Sequence, residues 1–110
     1  MKAVALTRDS RYTVVERVKR DPAFARALLD EAVALFLNGE PETTRLLLRD
    51  LVNATVGFER LAAATGKPAK SLHRMLSING NPSMDNLSVI LDVLRKRLGV
   101  KRASRPATAA

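Results

Sequence analysis

The chain has no cysteine, so no disulfide can cross-link it and no thiolate is available to hold a metal. A reducing cytoplasm is compatible with that composition. Histidine occurs once, at His73, with no carboxylate clustered beside it in sequence. A lone histidine of this kind is a poor metal ligand or catalytic group and a better polar contact or partly buried helix residue. No segment approaches the length of a membrane span, and the apolar run in MKAVALTRDSR stops at Leu6, too short for a signal-peptide core. Also missing are a glycine-rich phosphate loop, a pair of carboxylates at acid/base spacing and a nucleophile with an evident base. These absences argue against an enzyme. The expectation is a soluble, cytoplasmic protein with no cofactor and no small-molecule ligand.

Strand patterns are absent too. Residues 4–6 and 12–15 are too short to build a sheet, and there is no internal repeat. The chain has 110 residues, 46% of them hydrophobic, which suffices for one domain with a modest core. Acidic residues are scarce in one half only. Residues 1–56 hold nine Lys/Arg against eight Asp/Glu, while residues 57–110 hold ten against three. Nearly all of the formal charge of +8 therefore sits in the second half, as a phosphate-binding surface requires.

In chain order, residues 1–8 read as an extended lead-in and a Val-rich first helix is expected over about Asp9 to Lys19. Asp21-Pro22 is a cleaner start signal, an N-cap aspartate before proline at the first helical position. The helix it opens carries Phe24, Leu28, Leu29, Val33, Leu35 and Phe36 at helical spacing and ends at Asn38-Gly39. A further helix from Pro41 to about Thr55 is apolar on more than one side, with Leu46, Leu47, Leu48, Leu51 and Val52, and is expected to be central. Arg17, Lys19, Arg20, Asp30, Glu31 and Asp50 are expected to form ordinary surface ion pairs. SINGNPS, residues 77–83, marks a loop through its Asn-Gly and Asn-Pro pairs. Ser83 caps a last helix bearing Leu87, Ile90, Leu91, Leu94 and Leu98, ended by Gly99.

The stretch GFERLAAATGKPAKSLHRML, residues 57–76, reads as a short helix, a turn at Thr65-Gly66-Lys67 and a second short helix opened by Pro68. Leu61, Ala62, Gly66, Leu72 and Met75 fall at the offsets of a DNA-binding helix-turn-helix, with Gly66 free to take a positive φ. At 100° per residue, Pro68, Ala69, Leu72, Met75 and Leu76 face inward. Lys67, Lys70, Arg74 and Ser77 face outward, with Ser71 and His73 on the flanks. A helix held this way directs cations and hydroxyls into the major groove. Arg95, Lys96, Arg97, Lys101 and Arg102 make a second basic cluster, suited either to the phosphate backbone or to complementing the dipole of the last helix.

The residues ALLDEAVALFLNGEPETTRLLLRDLVNATVGFERLAAATGKPAKSLHRMLSINGNPSMDNL resemble the antidote proteins of bacterial toxin–antitoxin addiction modules. These are the HigA-like members of the Xre/Cro-type helix-turn-helix class. The likeness covers roughly residues 5–98; its most specific parts are LLRDLVNATVGFERLA, the KSL and RML segments, and GNPS followed by NL. It implies an all-α fold of five to six short helices containing a lambda-repressor-like DNA-binding core. The residue pattern itself reads as one helical domain over 1–99, with that core over about 41–99 and the helices of about 9–38 packed on it. A basic tail over 100–110 follows, which is expected to be disordered and which the likeness does not cover. The likeness further implies a homodimer that binds double-stranded operator DNA, represses its own operon and neutralises a co-encoded RelE/ParE-like toxin. By position the DNA-reading residues would be Lys67, Lys70, Ser71, His73 and Arg74, to which the outward face adds Ser77. Two other readings are a stand-alone helix-turn-helix regulator with no toxin partner and, more remotely, a small basic ribonuclease.

Overall fold

The computed structural model describes residues 8–101, with side chains from Thr13 onward. They form six helices and, among these residues, no strand. The helices are α1 (Arg8–Arg20), α2 (Pro22–Leu37), α3 (Pro41–Ala54), α4 (Phe58–Thr65), α5 (Ala69–Met75) and α6 (Met84–Arg97). Arg8, expected in the lead-in, is already helical. The rest of that lead-in, residues 1–7, and the tail from residue 102 lie outside the described residues.

Local chemistry sets most of the boundaries. The Asp21 carboxylate accepts from the Phe24 amide at 3.2 Å, so one of the unsatisfied N–H groups at the start of α2 is met by a side chain. Ser83 does the same for α6, its Oγ accepting from the Asn86 amide at 3.1 Å. At the other end of α6 the Gly99 amide donates to the Lys96 carbonyl and the Val100 amide to the Arg95 carbonyl. This is the double closure of a Schellman cap. The expectation of a free tail beginning at Val100 is corrected by it: Val100 is half-buried against the core and held by that closure.

One core joins all six helices. At its centre lies α3, whose Leu48, Leu51 and Val52 have no exposed surface, with α1 and α2 on one side and α4 on the other. Leu61 from α4, Leu72 from α5, Leu76 just beyond it, and Ile90 and Leu94 from α6 complete the interior. Buried Thr44 ties α3 to α2, its hydroxyl shared between the Ala32 and Glu40 carbonyls at 3.2 and 3.0 Å.

The packing corrects two further expectations. Asp50 does not lie at the surface: it is on the interior side of α3 and only 2% exposed. On α2, Leu28 and Leu29 are buried together with Ala25 and Ala32, but Val33 and Phe36 are 39% and 47% exposed. The packed stripe of α2 continues to half-buried Leu35 in its last turn, while Val33, Phe36 and Leu37 leave an exposed apolar face beside it.

Candidate nucleic-acid interface

The pair α4 and α5 is joined by a turn whose geometry depends on Gly66. Its φ of 71° is the left-handed conformation that side chains disfavour, and its amide closes α4 by donating to the Ala62 carbonyl. Thr65 braces the same turn, donating to the Leu61 carbonyl at 2.8 Å and accepting from the Lys67 amide at 3.3 Å. Pro68 is exposed and occupies the cap position before the first helical residue of α5. The inward packing expected of it does not occur; its extended φ and ψ place it outside the helix, so the inward face begins at Ala69.

From Ala69 on, the two faces separate as the spacing predicts. Leu72 and Leu76 have no exposed surface, and Ala69 and Met75 are half-buried. Lys67, Lys70, His73 and Arg74 are exposed. Among the described residues, no hydrogen bond or ion pair engages the Lys67, Lys70 or Arg74 side chains. Lys70 and Arg74 thus stand free on one side of a helix whose opposite side is buried, and Lys67 stands free in the turn before it.

The flanking residues are more constrained. The His73 ring stacks on Phe58 of α4, with centroids 3.7 Å apart and planes 19° from parallel. Phe58 is itself buried, so the stack fixes α5 against α4 and leaves only the outer face of the imidazole exposed. Ser71 is half-buried. Ser77 lies just past the end of α5, and its hydroxyl donates to the Arg74 carbonyl at 2.7 Å. That hydroxyl helps to close the helix rather than standing free on the outer face.

The second basic cluster is organised differently. Arg95 and Lys96 each approach a carboxylate oxygen of Asp92 at 2.9 Å, and Arg95 also donates to the Val100 carbonyl at 3.1 Å. Hydrogen bonds from Lys96 and then Arg95 hold the Asp92 carboxyl below its ordinary value. Of the two roles open to this cluster, Arg95 serves the helix terminus. Arg97 and Lys101 remain exposed, and Arg102 lies outside the described residues.

Two residues at the end of α5 carry no special signal in the sequence pattern. Arg45 of α3 donates from Nε to the Ser77 carbonyl at 3.1 Å and from Nη2 to the Ile78 carbonyl at 2.9 Å. Gly80 packs so closely that a Cβ there would fall on the Arg74 and Met75 carbonyls. Asn79-Gly80 reads from sequence as a loop; its close approach to α5 depends on the fold. A groove of about 360 Å³ lies between α2 and α6, lined by Leu29, Val33 and Leu91 among others. Among the described residues, no three His, Cys, Asp or Glu side chains lie close enough to hold a metal ion. No described helix is long and apolar enough to cross a membrane.

No protein-family model, curated protein or solved structure matches the chain.

Proposed function

We propose that the chain is a DNA-binding antitoxin: a helix-turn-helix repressor of its own operon that also neutralises a co-encoded RelE/ParE-like toxin. In this reading α4 and α5 are the two helices of a lambda-repressor-like motif, and α5 enters the major groove. The observation that carries it is the set of unengaged cations, Lys70 and Arg74 on the exposed side of a helix held from behind by Leu72 and Leu76, and Lys67 in the turn that leads into it. Arg74 suits a bidentate contact to guanine O6 and N7, and Lys70 suits guanine or phosphate. Lys67, at the turn, suits phosphate.

The flanking residues take smaller parts. His73 offers its outer ring face at the groove edge while its inner face rests on Phe58. Ser71 lies at the margin of the contact, and Ser77 contributes mainly by closing α5. One such helix reads few bases, so a homodimer on a pseudo-palindromic operator is the assembly that provides specificity. The resemblance of the sequence to HigA-like antidotes supports the toxin, and the exposed Val33, Phe36 and Leu37 at the end of α2 give it an apolar face to bind.

The test of DNA reading is a gel shift on the DNA upstream of the gene, comparing wild type with Lys70→Ala plus Arg74→Ala. Removing a bidentate base interaction is expected to weaken binding by about 1–3 kcal/mol. The slope of affinity against salt should flatten by about 0.9 for each phosphate that is no longer neutralised. Unchanged affinity in the double variant would refute the assignment of α5. Co-expression with the adjacent reading frame separates the antitoxin from a stand-alone regulator: growth rescue and co-purification are expected of the former only.

A further inference from the structure

The exposed face of α5 is only as specific as the helix is well placed, and α5 has just seven residues. A helix that short has little stability of its own, so its neighbours set its position. On one side α4 does this through the His73–Phe58 stack and the buried Leu61 and Leu72. At its C-terminal end the constraint is polar and comes from Arg45, 32 and 33 residues earlier in the chain than the two carbonyls it grips.

The bonds form a relay. The guanidinium of Arg45 donates to both the Ser77 and Ile78 carbonyls; the Ser77 amide and hydroxyl both donate to the Arg74 carbonyl. Arg74 is one turn before Ser77 and carries the exposed cation best suited to a guanine edge. Whatever fixes Ser77 therefore fixes the backbone from which Arg74 reaches out. The planar fork of arginine suits this role, whereas a lysine ammonium is a point donor on a flexible stem.

We propose that Arg45 is a positioning residue for sequence-specific DNA binding, setting the register of α5 through the Ser77 and Ile78 carbonyls and making no phosphate contact of its own. This inference rests on the reading of α5 as the DNA-contacting helix.

The full chain is used to enrich a duplex from a random-sequence library, and affinities for that duplex and a scrambled one are then measured across a salt series. Two variants are compared with wild type, Arg45→Met and Arg45→Lys. Both are expected to lose about tenfold in preference for the enriched duplex, the equivalent of one base contact. Affinity for the scrambled duplex and the salt slope should stay as in wild type. A mere loss of folded protein would lower both affinities together and leave their ratio unchanged, which counts against the proposal. A salt slope reduced by about 0.9 in Arg45→Met alone would mark Arg45 as a phosphate contact and overturn it. An Arg45→Lys variant with wild-type preference would also overturn it, since charge rather than the fork would then be what matters. If wild type enriches no duplex at all, the failure lies with the DNA-binding reading itself.

Discussion

At Gly80 a single added carbon would collide with the backbone carbonyls of Arg74 and Met75, which have no flexible end to swing aside. Gly80→Ala should therefore force the 77–80 turn away from α5 and destabilise the fold by roughly 1–3 kcal/mol, the usual cost of overpacking. Urea denaturation with an unchanged m-value would measure it; a wild-type midpoint would mean that the turn has slack. The sequence identifies this residue as part of a loop through Asn79-Gly80, but not as a contact, because the atoms it meets are brought there by the end of α5. Asp50 shows the same limit from the other side. Its charge suggests the surface, and only the packing of α1, α2 and α4 around α3 decides otherwise.

Among the elements, α6 shows how a local charge cluster can be committed before any ligand arrives. Asp92 accepts from both Lys96 and Arg95, and its carboxyl is held below the ordinary carboxylate value by those two cations. A group depressed in the folded state adds stability that is present above its unfolded value and lost as pH falls through its folded one. Stability should accordingly decline below about pH 4, and part of that decline should vanish in Asp92→Asn. Thermal unfolding from pH 6 down to pH 2 checks it (~0.5 pH steps resolve the window), and identical acid profiles would refute it. The helix ends are the most legible part of the fold, since Asp21, Ser83, Gly66 and Gly99 act on amides and carbonyls within a few residues of themselves. The two faces of α5 are legible for a similar reason: its buried side consists of Leu72 and Leu76, and no cation interrupts it. The apolar stripe of α2 is not, because periodicity shows where a face points and leaves open whether anything covers it. Val33 and Phe36 share the helical period of Leu29 yet stand exposed, while Leu35 in the same last turns packs on the core.

For the molecule as a whole, α3 contributes the most fully buried part of a core that all six helices share. Leu51 has no exposed surface, and Leu51→Ala should cost about 2–5 kcal/mol, a large share of the roughly 5–15 kcal/mol typical of a native fold. Calorimetry should show one transition shifted down by about 4–8 °C for each kcal/mol of stability removed. A shift confined to the α4–α5 signals, with the remainder melting as in wild type, would contradict a single shared core. The free standing of Lys67, Lys70 and Arg74 carries the opposite implication. These side chains hold nothing together, so replacing them leaves the interior untouched. Under the proposed DNA-binding reading, a lineage could exchange them one at a time and move to a new DNA address with the scaffold intact. The same separability makes the three positions a natural place to randomise when selecting for a different target.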